Sequence, residues 1–309
     1  MNTMFQDYSE PNNPLYHYTS LNGLLGIIQK RKIWATNLLF LNDSMELNYA
    51  IQLVRENISG RREKEEAGKL DEDELNFLKT FSDDLGNFGT SVHQSFDGIY
   101  VCSFSKNRDQ LSQWRGYCPG GSGVSIGFDF ASSLMDFVEG QGFTLVECVY
   151  DENKHREIID DFLLDAISFF RENHHDSNNV LLVAWKVWDR FLAVAPLLKH
   201  PKFREECEWR LVSKPKSLTD VRFRAGKSML APYLEIKLSE DQEDTNVKSP
   251  LGCIPEICIG PTLHPSLSRI SVEIMLKNEE VYKEVDVNGK IYKRKCEVIE
   301  SDIPYRVQY

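Results

Sequence analysis

A chain of 309 residues with 41% hydrophobic and 27% charged side chains is long enough for one elaborated domain or two small ones, and its composition excludes general disorder. Lys and Arg number 36 against 47 Asp and Glu, so a net charge of −11 opposes polyanions on average and favours a small ligand or a protein partner, unless a local basic patch overrides it. No stretch approaches the roughly 20 apolar residues of a membrane span; the opening MNTMFQDYSEPNNP has no secretory pattern, and seven scattered cysteines without a C-x-x-C fit reduced core thiols, so the expectation is a cytoplasmic, metal-free protein without disulfides.

After Pro14, LYHYT predicts a short strand, and Ser20 caps a helix whose Leu21, Leu24, Leu25 and Ile28 recur at helical spacing. KIWAT predicts a second strand. In LNDSMELNYAIQLVREN, Asp43 and Glu46 have capping-box spacing ahead of an apolar face of Leu47, Ala50, Ile51 and Val54. From Arg61 to Lys79, 12 of 19 residues are charged, a density that predicts a solvated helical excursion within an insertion of about residues 55–95. IYVCSFS reads as a buried strand, QLSQWRGY as a short helix, CPGGSG as a turn, and VSIGFDF as a strand; the turn lacks G-K-[ST] and precedes a strand, unlike a phosphate loop. TLVECVY is a further strand. Helices over roughly 154–173 and 179–199 form a second insertion of about 151–200, the latter with Trp185, Trp188 and Phe191 on it. ECEWRLVS, APYLEIKL, PEICIGP and IYKRKCEVI supply the remaining strands, and the interleaving lacks a regular β-α-β period, so the fold class is α+β with helical insertions in a single domain.

Three separated stretches combine reactive and aromatic groups: residues 16–20, 103–117 and 204–210. Glu206 and Glu208, two apart on an expected strand, point to one face, a costly arrangement unless that face meets solvent, a cation or a donor-bearing ligand; flanking Arg204 and Arg210 offer a plain charge ladder instead. Trp114 and Tyr117 share a helix face, which suits an aromatic wall or core packing equally. Asn42 and Asp43 are outside candidates, because a capping role suffices to explain them. His174 and His175 fall in a polar helical stretch.

The ordered series YHYTS, KIW, LND, SFS, QWRGY, EWR and the late PY and EICIGP resembles the bacterial family catalogued as domain of unknown function 2971, over roughly residues 14–265. A strand ending in His-Tyr-Thr that feeds a helix also resembles the opening of NAD-dependent ADP-ribosyltransferase toxins of the His-Tyr-Glu type, while Glu206 with Glu208 and Ser103-Phe104-Ser105 resemble motifs of the arginine-modifying branch. The chain thus mixes two branches. This second resemblance implies a split β-sheet core with NAD as substrate. On that resemblance His17 would bind the adenosine ribose beside Tyr18 and Thr19, Tyr117 would stack on nicotinamide with Trp114, and Ser103 and Ser105 would border the cofactor. Glu208 would stabilise the oxocarbenium-like transition state, Glu206 would activate the acceptor, and Arg115 and Arg210 are the candidates to meet the diphosphate.

The leading expectation is therefore an ADP-ribosyltransferase, or NAD glycohydrolase, acting as a bacterial toxin or phage-defence effector. It would release nicotinamide, modify a protein or nucleic-acid acceptor, and be held by an antitoxin or other neutralising protein. A non-catalytic nucleotide-sensing or protein-binding module of the same fold is the alternative, with a metal-independent hydrolase or nuclease third. Arg204, Arg210, Arg222 and Arg224 could form a local basic groove for nucleic acid.

Overall fold

In a computed structural model, the described residues are 11, 13–41, 44–63, 70–86, 98–118, 123–130, 133–173, 180–217, 221–226, 228–239, 251–281, 283–287, 290–294 and 296–304. Asn42, Asp43, His174, His175 and most of the CPGGSG turn lie outside them, as does the Trp185 side chain.

The elements follow in chain order: β1 (Leu15–Thr19), α1 (Leu21–Lys30), β2 (Lys32–Asn37), α2 (Ser44–Glu63), α3 (Glu72–Gly86), β3 (Tyr100–Ser105), α4 (Leu111–Tyr117), β4 (Val124–Phe128), α5 (Ser133–Gly140), β5 (Phe143–Glu147), α6 (Glu152–Asn173) and α7 (Val180–Val194). Then come β6 (Glu208–Ser213), β7 (Arg222–Ala225), β8 (Leu230–Lys237), β9 (Glu256–Ile259), α8 (Pro265–Asn278), β10 (Lys283–Val287), β11 (Lys290–Arg294) and β12 (Glu297–Glu300). The α+β class is as expected. Ser20 caps α1 by accepting from the Gly23 amide, and Gly23 is required there because a Cβ would overlap the Thr19 hydroxyl.

Ten strands form one mixed sheet, β12-β9-β4-β1-β3-β2-β8-β7, with β6 and β5 branching off at β3. One edge of β3 is zipped to β6 along its length; the other is shared, Ser105 pairing Tyr16 of β1 while Val101 and Tyr100 pair Thr36 and Asn37 of β2. β1 and β2 therefore part beside the middle of β3.

Alternation sorts the side chains onto two faces. Tyr100, Cys102 and Phe104 of β3, with Trp209 and Leu211 of β6, join one core that α1, α5 and α8 cover. On the opposite face, Val101 and Val212 enter a second core built by α2, α3, α6 and α7. A small third cluster packs Trp114 of α4 on Tyr16, Tyr18, Cys118 and Cys258.

The solvated excursion predicted for the charged stretch is corrected here. In α3, Phe77, Leu78, Phe81 and Leu85 recur at helical spacing and are fully buried, with Phe77 stacked on Phe170 of α6 at 4.6 Å. Asp71, Glu72, Asp73 and Lys79 face outward, Glu74 is buried and pairs with Arg171 of α6, and residues 64–69 of the charged stretch lie outside the described residues. Helices α2, α3, α6 and α7 form one layer on the sheet, so the two expected insertions pack together.

Candidate active site

Antiparallel partners share a face, so the register Ser105↔Glu208 and Ser103↔Arg210 places these four residues on the side that carries α2, α6 and α7. They lie on that face together with the apolar cores that α4 and α2 build. Here five ionisable side chains meet. Lys199 contacts Glu46 at 3.0 Å and also pairs with Glu206 and Glu208. Arg210 donates from Nε to Glu208 Oε1 at 2.7 Å, from Nη2 to Glu46 Oε2 at 2.5 Å and Glu208 Oε2 at 3.0 Å, and from Nη1 to the Pro196 carbonyl at 3.0 Å. Three carboxylates thus surround two cations, leaving one net negative charge in a site where Lys199 and Arg210 are almost wholly buried.

The expected pairing of Glu206 with Glu208 holds, for a different reason. Strand β6 begins only at Glu208; Glu206 ends a short 3-10 turn (Pro201–Glu206), and Cys207 between them is left-handed at φ 43°. That left-handed residue, not strand alternation, leads both carboxylates to Lys199. The turn is pinned: Ser105 Oγ donates to the Glu206 carbonyl at 2.7 Å, Gln110 Nε2 donates to the Glu205 carbonyl at 2.7 Å, and the Lys106 amide donates to the Cys207 carbonyl at 3.0 Å.

The two carboxyl groups are driven apart in acidity. Burial disfavours the Glu208 charge, but Arg210 and then Lys199 outweigh it and hold the carboxyl below its ordinary range. For Glu206, burial leads and Lys199 only partly offsets it, so its pKa is raised. Exposure alone would order them the other way, since Glu208 is 5% exposed and Glu206 18%; the second cation, Arg210, which bonds Glu208 and not Glu206, sets the division. Burial also works against the Lys199 charge, yet Glu208, Glu46 and Glu206 raise its pKa overall. At the end of α4, the Tyr117 phenol is pushed up by burial and then by the charges of Glu208 and Glu206.

Several expected roles are corrected by position. The His17 side chain joins Cys102 and Phe104, with its ring centroid 5.8 Å from that of Phe104, on the face opposite Glu208; β3 runs between them. Its Nδ1 lies 3.0 Å from the Ser103 carbonyl, so the imidazole bridges the opening where β1 leaves β3, and burial lowers its pKa. Tyr18 donates to the Asn107 carbonyl at 2.7 Å and accepts from the Gln110 amide at 3.1 Å, which commits its hydroxyl to the loop before α4. Trp114 is core: its ring meets Tyr18 edge-on at 4.7 Å, Nε1 donates to Asp109 at 2.7 Å, and Gly260 lies against it so closely that a Cβ would strike the ring. Arg210 is spent on Glu208, Glu46 and Pro196, and Ser105 on the Glu206 turn. Ser103 is the one residue of β3 short of full burial, Thr19 is half-buried, and Arg115 is exposed on α4.

Sequence reading missed two members. Lys199 follows the apolar run AVAPLL, and a lone cation at the end of such a run was the available signal; Glu46 was assigned to a helix cap. Among the described residues, no group of three or more His, Cys, Asp or Glu side chains could hold a metal ion, and no helix is long and apolar enough to cross a membrane. No curated protein and no solved structure matches the chain. Residues 113–211, from α4 to β6, which carry Tyr117, Lys199, Glu206, Glu208 and Arg210, are similar to the family described as "Protein of unknown function (DUF2971)".

Proposed function

We propose that the chain cleaves NAD and transfers its ADP-ribose to a macromolecule, with release of nicotinamide. The observation that carries this reading is the pair Glu206 and Glu208, two carboxyl groups on one lysine whose surroundings pull their pKa values in opposite directions. Such a division assigns one group as a fixed anion and the other as a proton carrier. The branching of the sheet at β3 supports an ADP-ribosyltransferase-like split core.

In the reaction, the bond between the ribose anomeric carbon and the nicotinamide nitrogen breaks, and its electron pair leaves with nicotinamide. Glu208, ionised at all physiological pH, stabilises the positive charge that grows on the ribose. An acceptor oxygen or nitrogen attacks that carbon and gives its proton to Glu206. Tyr117 covers the nicotinamide, Ser103 meets the ribose from the sheet, and Arg115 takes the diphosphate role that Arg210 is too buried to serve. The reading places the protein in the cytoplasm as a toxin or defence effector, held in check by a neutralising partner.

A second reading, a binding module without turnover, is favoured by one observation: both Glu208 oxygens already accept from cations. Purified chain with labelled NAD and whole-cell protein, RNA and DNA separates the two. Transfer predicts nicotinamide release, reduced about a hundred- to a thousandfold in Glu208→Gln, the scale of losing one transition-state contact. Release must also rise with pH through the raised pKa of Glu206 and lose that dependence in Glu206→Gln. Saturable NAD binding with no release, or equal release by Glu208→Gln, refutes transfer at this site.

A further inference from the structure

We infer that the outer arm of the sheet, β2-β8-β7, binds single-stranded nucleic acid. In a chain of net charge −11 this arm is basic. The pairings Trp34↔Glu235, Thr36↔Tyr233, Lys32↔Lys237 and Arg222↔Tyr233 put these side chains on one face, the same face as Glu208 through Thr36↔Val101. Among the described residues of these strands, Lys32, Arg222 and Arg224 gather there around one carboxylate, Glu235.

Their arrangement suits a strand of bases and phosphates. The Trp34 ring lies over Tyr233 with centroids 4.4 Å apart and planes tilted by 34°, and Trp34 remains 39% exposed, which leaves aromatic surface for a base. Arg222 lies 3.4 Å from Glu235 with its side chain 63% exposed, and Arg224 reaches across β8 to donate to Thr36 Oγ1 at 3.1 Å, so the two guanidinium groups extend from β7 to either side of Tyr233. Lys32 pairs with the other Glu235 oxygen at 3.1 Å. Strand β7 is exposed along its whole length. Charged residues on an edge strand also deter aggregation, but that purpose does not call for an exposed tryptophan stacked between them. Aromatic rings beside guanidinium groups hold unpaired bases by stacking and phosphates by charge, without sequence preference. The surface supplies a class of acceptor for the proposed transfer and to that extent rests on that reading; the binding itself does not.

The test is fluorescence anisotropy at low ionic strength with end-labelled single-stranded DNA and RNA of about 12 nucleotides, within the span such surfaces cover. The chain should bind, more tightly than to duplex DNA of the same sequence, and the stronger of the two single strands names the source. Trp34→Ala should weaken binding about tenfold and Trp34→Phe should restore most of it, since one stacked base contributes on that scale. Arg222→Ala with Arg224→Ala should lower the slope of log affinity against log salt by about 1.4, the value for two phosphate contacts on a single strand. Absence of binding, variants that bind like the parent, or equal competition by polyglutamate overturns the inference. Glu208→Gln should keep full oligonucleotide affinity, so that a failure of binding and a failure of turnover are read separately.

Discussion

Replacing Lys199 by Met keeps the length of the side chain and removes the one cation that touches all three carboxylates. Three negative groups then share Arg210, which bonds to Glu208 and Glu46 and makes no ion pair with Glu206. Removing one partner of a buried pair costs about 3–5 kcal/mol, because the remaining charge is left uncompensated in a poor solvent. The loss should depend on pH. Glu206 already has a folded pKa above its unfolded value, so the folded state binds the extra proton and stability falls as pH rises through that window. Without Lys199 the window widens upward. Urea unfolding followed by circular dichroism should therefore give a deficit of about 3–5 kcal/mol near pH 8 and a smaller one near pH 5.5. A deficit below about 1 kcal/mol near pH 8, the level of an exposed ion pair, would refute the idea that the cluster is a buried electrostatic unit.

Three further outcomes follow from positions the structure corrects. Trp114→Ala should cost about 3–5 kcal/mol in the urea unfolding assay as a core truncation, and a loss below about 1 kcal/mol would contradict its buried place against Tyr18 and Gly260. Phe77→Ala should cost about 3–5 kcal/mol in the same unfolding assay; a change near zero would return α3 to the solvent. Folding depresses the His17 pKa, so stability should fall as pH drops below about 6.5, where the unfolded imidazole takes up a proton that the folded one refuses. His17→Phe should reduce that slope, measured as the urea midpoint between about pH 7.5 and 5; an unchanged slope would contradict it.

The strands were legible where burial is one- or two-sided and turn residues bound them, as in LYHYT, YVCSFS and EWRLVS. β7 was not, because RFRA is exposed on both faces and has no apolar period to read. α8 buries Val272 and Leu276 but leaves Leu267, Ile270 and Ile274 exposed on its far side, so its apolar residues do not define one face. In α3, local charge density concealed an ordinary buried stripe. At the site, Glu206 and Glu208 were found through a strand that starts two residues later than expected. The cation that unites them could not be found by local spacing: Lys199 reaches them only after a turn whose left-handed Cys207 no pattern announces. The resemblance to ADP-ribosyltransferases put His17 and Glu208 at the two ends of one dinucleotide site, and both do lie on strands that adjoin β3. Their opposite phase emerges only from the pairings Tyr16↔Ser105 and Ser105↔Glu208.

Carboxyl-carbon NMR with labelled glutamate, assigned by the single Glu→Gln variants and followed from neutral to acid pH, addresses the division of acidity between the two groups directly. Glu208 should hold its charge well below the ordinary carboxylate range while Glu206 takes up its proton above it. Two carboxyls titrating together near the ordinary value of about 4.3 would leave no fixed anion beside a proton acceptor, and the proposed chemistry would have no basis at this site.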